Sequence, residues 1–191
     1  MSHIVFELPY HEYDRYRKHL LCLDIDSRYL RFGYPITDVA INALCDKFEL
    51  NFHRHRVFVI EDDDLNVVAA GHISLEDRPI ELAFSVLKPY QARGMGFSLM
   101  GRVIEWCQNR GLKQGCMVCL RHNLAIRKLA ARYGILVQDG TELLADIAIP
   151  AVSPISIMHE AAVNSMAKFD HLGKVQRHFA RMLAFPLQFL K

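Results

Sequence analysis

The sequence predicts an α+β protein with a mixed, mostly antiparallel central sheet flanked by helices, followed by a helical C-terminal extension. Three observations predict this class: helical patterns open the chain, three extended segments follow as a meander, and helices then alternate with strands. Residues 1–150 form the predicted domain and residues 151–191 the extension. Because 51% of the 191 residues are apolar, the chain can bury a substantial core.

Two helices are predicted before the first strand. Apolar residues recur at helical spacing in residues 11–23. A second helix is predicted over residues 38–48, since Thr37 precedes it as a suitable N-cap. Residues 26–33 between them are polar and aromatic and end in a glycine, so we expect a short link there.

Three strands follow the second helix. Residues 56–61, 67–75 and 80–87 are rich in strand-forming residues, and the short polar segments 62–66 and 76–79 separate them. Strands joined by such short turns pair with their neighbours in opposite directions. The sequence therefore predicts a three-stranded antiparallel meander.

Helices and strands alternate in the next part of the chain. A helix is predicted from about residue 95 to 110, with its apolar residues on one face and Gly111 as its stop. A short apolar strand follows at residues 115–122. Residues 123–134 predict another amphipathic helix, and residues 141–149 a further strand.

The tail after Pro150 has helical periodicity as far as Lys191, apart from Pro186. Its apolar residues form a stripe: Leu172, Val175, Phe179, Met182 and Leu183. Such a helix can cap the sheet, form a dimer contact or lie on a membrane surface. Because the tail has no tryptophan and only moderate charge, we expect it to pack on the domain or on a homodimer partner.

Charge and cysteine content narrow the class of protein. The net charge of +2 gives no general argument for a nucleic-acid partner, and we expect none. No stretch approaches the roughly 20 apolar residues of a membrane span. The five cysteines are an odd number, and the first residues do not resemble a secretion signal. These features are typical of a reduced, cytoplasmic protein.

A glycine turn leads into the helix near residue 95. Residues 91–96 have the sequence Gln-Ala-Arg-Gly-Met-Gly. The first N–H groups of a helix bind anions, and glycines let a phosphate approach the backbone closely. A dinucleotide-binding turn needs a third glycine where this chain has Leu99, and a P-loop needs a Gly-Lys-Ser/Thr sequence that is missing here.

These six residues match the pattern Q/R-x-x-G-x-G/A, the acyl-CoA pyrophosphate motif of the GNAT N-acetyltransferases. The meander before the motif, and the helix, strand, Asn123 and helix after it, support the match. Residues 1–149 resemble the GNAT fold in their order of elements. Residues 28–32 and 80–86 resemble segments in the GNAT domains of bacterial protein lysine acetyltransferases.

The resemblance implies acetyl-CoA (coenzyme A) as the cofactor and an amine as the acceptor, either a protein lysine or a small amine. The amine would attack the thioester directly. The backbone of residues 84–86 would align the pantetheine arm, with the Val86 N–H stabilising the oxyanion. The cofactor-binding residues implied are Phe84, Ser85, Val86, Gln91, Ala92, Arg93, Gly94, Met95, Gly96, Phe97 and Asn123.

A lysine amine with a pKa near 10.4 must lose a proton before it attacks. Glu81 resembles in position the glutamate that is the general base in lysine acetyltransferases. The alternative is a solvated glutamate on an edge strand. His72 on the preceding strand is the second candidate base, with a hydrogen-bonded structural histidine as its alternative.

One position departs from the family pattern. Many GNAT enzymes have a tyrosine seven residues after the motif asparagine, where it protonates the leaving thiolate. The residue at that position here is Ala130, and Tyr133 lies three residues later. This departure favours the alternative of a non-catalytic acyl-CoA sensor module, or an enzyme whose thiolate leaves unassisted.

Two further motifs are interpreted as structural. Cys116, Cys119 and His122 suggest zinc, but residues three apart on a strand point to opposite faces and a structural zinc needs four ligands. We therefore expect core thiols and no metal. The basic segment 51–56 is expected to be solvated surface. The alternative is that it borders an acidic substrate.

Overall fold

The computed structural model describes residues 3–139 and 142–184, and in this part of the chain seven strands form one sheet. The strands are β1 (Phe6–Glu7), β2 (His55–Glu61), β3 (Val67–Ser74), β4 (Ile80–Val86), β5 (Gln114–Leu120), β6 (Gly134–Asp139) and β7 (Glu142–Ala148). Their order is β1-β2-β3-β4-β5-β7-β6, and every neighbouring pair is antiparallel except β4 and β5.

Six α-helices surround the sheet in the described residues. They are α1 (Tyr13–Leu21), α2 (Ile25–Phe32), α3 (Asp38–Leu50), α4 (Met95–Asn109), α5 (Leu124–Tyr133) and α6 (Pro154–Ala184). The predicted α+β class with a mostly antiparallel sheet is confirmed. The predicted continuation of the tail to Lys191, with Pro186, lies outside the described residues, as does Thr141 at the start of the predicted last strand.

The segment predicted as a link at residues 26–33 is instead the helix α2. The Asp24 carboxylate accepts the backbone N–H of Ser27 at 3.0 Å and caps its start. Gly33, with φ of 79°, ends it in the left-handed conformation. The prediction was wrong because the polar and aromatic composition was given more weight than these two helix-ending signals.

Apolar layers cover both faces of the sheet. Alternate residues of β2 enter opposite layers, because successive strand side chains point to opposite faces. One layer contains Phe58, Leu82, Leu99, Met100 and Val103, and the other contains Tyr16, Leu20, Ile41, Val57 and Val59. The helices α4 on one face and α1 with α3 on the other thus fix the sheet between them.

The pair β4 and β5 separates along its length. The two strands run parallel and pair only at Ile80 with Gly115 and at Glu81 with Cys116. Beyond these positions β4 stays bound to β3 but leaves β5. The sheet therefore has an opening beside the C-terminal half of β4.

The long helix α6 packs on α4 through charged side chains. Arg102 of α4 is 5% exposed and donates to Glu160 at 3.3 Å and to Asn164 at 2.7 Å. Arg110 also donates to Glu160, at 3.0 Å. Among the helices of residues 3–139 and 142–184, none is both long and apolar enough to cross a membrane.

Candidate active site

Two cavities lie along β4, one beside residues 84–86 and the other beside residues 81–83. One, of about 450 Å³, borders the turn at residues 90–97 and is called the loop cavity. The other, of about 330 Å³, is lined by His55 and His72 and is called the histidine cavity. Leu30 and Arg31 of α2 line both. The two cavities are therefore neighbours at this part of α2.

The glycine turn shapes the floor of the loop cavity. Gly94 is the N-cap of α4, and its φ of 83° is a conformation that other residues rarely adopt. Its carbonyl accepts the N–H groups of Phe97 and Ser98 at 3.1 and 3.2 Å. A Cβ built on Gly94 would have no atom within 4 Å, so the space in front of the turn is open. The helix start is thus presented to the cavity.

Side-chain contacts hold this turn against β4 and α2. The Gln91 amide donates to the Val86 carbonyl at 3.0 Å and to the Ser27 hydroxyl at 3.3 Å. The Arg93 guanidinium lies over the Tyr90 ring, 5.5 Å from its centroid. Arg93 is not among the described residues that line the cavity.

The open edge of β4 forms one wall of the loop cavity. The Leu87 N–H donates to Val68 of β3 at 2.9 Å, and antiparallel pairing alternates along the strand. The backbone groups of Phe84 and Val86 therefore point away from β3, towards the opening, whereas those of Ser85 point towards β3. The Ser85 hydroxyl lies 2.8 Å from His19 Nε2.

The opposite wall is the start of α5. Asn123 caps this helix, because its side-chain oxygen accepts the Ile126 N–H at 3.2 Å, and it also lines the loop cavity. Lys128 and Arg31 bring positive charge to the lining. Ala130 is fully buried in the core. Tyr133 packs near Gly101 of α4 and is not one of the described residues that line the cavity.

The histidine cavity contains acidic and imidazole groups. Glu81 and Glu76 line it together with His72 and His55. Glu81 is exposed, whereas both histidines are buried. Carboxylates of this kind attract a cationic amine, and Glu81 sits on β4 next to the point where the strand leaves β5.

The two histidines form a bonded pair. His72 Nε2 lies 3.2 Å from His55 Nδ1, and His55 Nε2 lies 3.7 Å from the Glu76 carboxylate. Phe48 covers both rings, with centroid distances of 4.5 and 4.6 Å. Burial lowers the pKa of each imidazole, and for His72 the positive charge of Arg31 lowers the pKa further.

His55 corrects the expectation for residues 51–56. The segment was predicted to be solvated surface, yet His55 is 2% exposed and starts β2. The Tyr13 hydroxyl donates to its carbonyl at 3.0 Å. The alternation of His55 with Val57 and Val59 would have indicated this burial, because all three lie on one face of the strand.

The predicted site residues fall into the two cavities as follows. Glu81 and His72, the candidate bases, share the histidine cavity. The predicted cofactor residues that line the loop cavity are Phe84, Ser85, Val86, Gln91, Ala92, Gly94, Met95, Gly96, Phe97 and Asn123. Their roles remain predictions. Within the described residues no group of three or more His, Cys, Asp or Glu side chains is placed to hold a metal ion.

The loop cavity thus combines a split sheet edge, the N-terminus of a helix and the positive charges of Lys128 and Arg31. A family model described as the Acetyltransferase (GNAT) family matches residues 20–135, more than half of the chain. The chain therefore belongs to the GNAT acetyltransferase family, as the resemblance of its glycine motif indicates.

Solved structures have the same fold. The GNAT domain of S. lividans PAT has a TM-score of 0.63 at 16% identity, covering 75% of this chain and 89% of that chain. The PaiA N-acetyltransferase from Thermoplasma acidophilum, solved in complex with coenzyme A, has a TM-score of 0.57 at 10% identity, covering 78% and 99%.

A cAMP-binding acyltransferase from Mycobacterium smegmatis is also similar. Its TM-score is 0.55 at 23% identity, and the match covers 91% of this chain. The chain spans about half the length of that protein, since 51% of it is covered. At these identities, the likenesses show the fold.

Proposed function

We propose that this protein transfers an acetyl group from acetyl-CoA to a primary amine, either a protein lysine or a small amine. The observation that carries the proposal is the pair of cavities that meet at Leu30 and Arg31. The loop cavity suits an anionic, thiol-bearing nucleotide, and the histidine cavity suits a cationic amine. Direct transfer needs both groups at one point, and the closeness of the two cavities beside the opening of β4 supports this.

The residues of the loop cavity fit coenzyme A. The start of α4 offers N–H groups to a diphosphate, and the absent side chain of Gly94 leaves room for it. Lys128 and Arg31 supply positive charge. The strand edge at Phe84 and Val86 offers backbone groups to the amide-containing arm. Bound acetyl-CoA supplies the acetyl group as a thioester, whose carbon–sulfur bond breaks as the amine attacks.

Glu81 is the proposed base in this reaction. Its carboxylate takes a proton from the ammonium group of the acceptor, directly or through a water molecule, and leaves a neutral amine that can attack. The Val86 N–H points into the opening, where it donates a hydrogen bond to the developing oxyanion. Ala130 has no proton to give, so the thiolate leaves without a side-chain acid at that position.

The test is acetyl transfer to a panel of peptides, polyamines and small amines by the wild type and by Glu81→Gln. We expect the variant to lose roughly 10²-fold or more in kcat. Its affinity for coenzyme A, measured by calorimetry, should stay within about twofold, because Glu81 is not among the described residues that line the loop cavity. Asp77→Asn is the matched control, since it removes a nearby exposed carboxylate outside both cavities.

Two outcomes separate the proposal from its rival. A wild type that binds coenzyme A but transfers acetyl to no amine of the panel would support the sensor module that Ala130 favours. A Glu81→Gln variant with full turnover would leave the transferase in place and remove Glu81 as its base.

A further inference from the structure

The helix α6 turns its polar face inward. Glu160 accepts hydrogen bonds from Arg102, Arg110 and Asn109, the last at 2.7 Å. Further along, His171 Nδ1 lies 2.8 Å from the buried Glu61 carboxylate. These contacts are specific and largely shielded from water, so they fix which side of the helix faces the domain.

The opposite face of α6 is apolar and exposed. Starting at Ile155, the residues on this face recur at alternating steps of three and four: Ile155, Met158, Ala162, Ser165, Phe169, Leu172, Gln176, Phe179 and Leu183. This set is called the outer seam. Met158 is 72% exposed and Phe169 is 76% exposed. The seam has no charged residue and, at 1.5 Å per residue, is about 42 Å long.

Steps of three and four over four heptads are the pattern of a coiled-coil seam. An apolar stripe of this length is rarely left in water by a soluble protein. None of the residues that the structure describes covers it, because the contacts of Glu160 and His171 hold the other face of α6 towards the domain. A partner helix with a matching seam would cover it.

We propose that this partner is a second copy of the chain, with the two α6 helices packed antiparallel. The seam is narrow at Ala162 and Ser165, in its first half, and wide at Phe179, in its second half. An antiparallel pair centred between Phe169 and Leu172 places Ala162 opposite the partner's Phe179. The same register places Ser165 opposite the partner's Gln176, so the two polar residues meet each other.

A parallel pair fits less well. It would set Phe179 against the partner's Phe179 and Ala162 against the partner's Ala162, which leaves one layer crowded and another loose. The flanking positions of the seam carry one Lys, Arg, Asp or Glu residue in the described part of α6, Lys168. In the antiparallel register Lys168 lies opposite the partner's Val175, so no like charges meet.

The same helix does not suit a lipid surface. A membrane-bound helix carries basic residues along the border of its apolar face. Here Arg181 instead pairs with Asp64 at 2.7 Å and Arg177 with Asp63 at 3.4 Å, in the acidic turn of the domain. Met166, Gly173 and Ala180 stand on one side of the seam, and Lys168 is the one Lys or Arg residue on the other side in the described part of α6.

Sedimentation of the full chain tests the proposal. One chain has a mass of 22.0 kDa. We expect the wild type at micromolar concentration to sediment as a dimer of twice this mass, and Phe169→Glu to sediment as a monomer. Ile157→Glu is the control, because Ile157 is 54% exposed on the same helix but lies outside the seam. Circular dichroism and coenzyme A binding show whether each variant is folded.

Cross-linking tests the direction of the pair. A short bis-maleimide should join Ser165→Cys chains to Gln176→Cys chains when the two are mixed, and join neither variant to itself. Wild type treated in the same way measures the background from the exposed Cys22. Self-linking of either variant would overturn the antiparallel register.

Three results would overturn the dimer itself. The first is a monomeric wild type. The second is a dimer that persists in folded Phe169→Glu. The third is a monomer that floats with vesicles of phosphatidylcholine and phosphatidylglycerol, which would assign the seam to a lipid surface.

Discussion

His72 Nε2 lies 3.2 Å from His55 Nδ1, and the two buried rings stack with centroids 5.2 Å apart. One of the two nitrogens must donate a proton and the other accept it, so the pair is held in complementary neutral forms. Because burial lowers the pKa of both rings, adding a proton to this pair is unfavourable. His72 is therefore a weak proton acceptor despite its place in the histidine cavity.

This relationship predicts how the two candidate bases differ. His72→Gln should lower kcat by less than about tenfold, below the 10²- to 10⁴-fold that a general base contributes. The decrease in kcat of Glu81→Gln should fall within that range. The measurement is the pH profile of kcat/KM for both variants. If the acidic limb disappears in His72→Gln and persists in Glu81→Gln, the two roles are reversed.

A third buried histidine, His19, predicts how stability depends on pH. His19 Nδ1 donates to the Val67 carbonyl at 2.9 Å, and burial lowers the pKa of this ring to about 4. In the unfolded chain its pKa is near 6.5, so between these values only the unfolded chain binds the proton. Stability should fall as the pH drops below about 6.5, by up to roughly 1.4 kcal/mol per pH unit for this group.

Urea unfolding at pH 7 and pH 5 checks this expectation. His19→Gln should be less stable than the wild type at pH 7 but lose less stability between the two values. His11→Gln is the control, because His11 is exposed and is not desolvated on folding. An unchanged loss in His19→Gln would contradict the assignment.

Gly94 and Gly111 both have a left-handed backbone conformation. Comparing substitutions at the two positions therefore separates the effect on stability from the effect on cofactor binding. Gly94 and Gly111 have φ values of 83° and 69°, and a Cβ on either would meet no atom within 4 Å. Alanine at either position should cost about 1 kcal/mol of stability. Only Gly94→Ala should weaken coenzyme A binding, by roughly tenfold or more, because only Gly94 lines the loop cavity. Equal affinities in calorimetry would show that the turn does not hold the nucleotide.

The ion pairs beneath α6 predict a large effect from a single side chain. Burial raises the pKa of Glu160, but the Asn109 hydrogen bond and the charges of Arg110 and Arg102 outweigh it and hold the pKa below 4.5. Glu160→Ala leaves the buried Arg102 with Glu105 and Asn164 as its partners and removes the partner of Arg110, so we expect a loss of about 2 kcal/mol.

The contribution of Glu160 should be present above about pH 4.5 and lost as the pH falls below it, because its folded-state pKa is depressed. Denaturant unfolding at one fixed protein concentration measures both effects. Arg181→Ala is the comparison, since its pair with Asp64 is more than half exposed and should be worth less than about 1 kcal/mol. Equal losses in the two variants would contradict the prediction.

Local signals in the sequence were sufficient to predict most of the helices and strands. Thr37 caps α3 and Asn123 caps α5 as expected, because a cap depends on residues within one turn. The short strands β1 and β6 were not predicted. The two residues of β1 are too few to show a period. β6 follows directly on the end of α5, and its first residue, Gly134, was included in the predicted helix over residues 123–134.

The candidate site was predictable where it depends on a contiguous motif. Residues 91–97 could be placed at a helix start from their glycines and the periodicity that follows. The partnership of His55 with His72 joins two strands, and the contact of Arg31 with both cavities depends on α2, which was predicted as a link. Such relationships follow from tertiary packing, which one sequence does not encode as a local pattern.

The position of Arg31 between the cavities has a kinetic consequence for the proposed reaction. In the proposed reaction, donor and acceptor occupy separate cavities that share Leu30 and Arg31, so neither has to depart before the other arrives. Double-reciprocal plots of the initial rate against one substrate, at several fixed concentrations of the other, should then give intersecting lines. Parallel lines would instead indicate an acylated side chain as an intermediate.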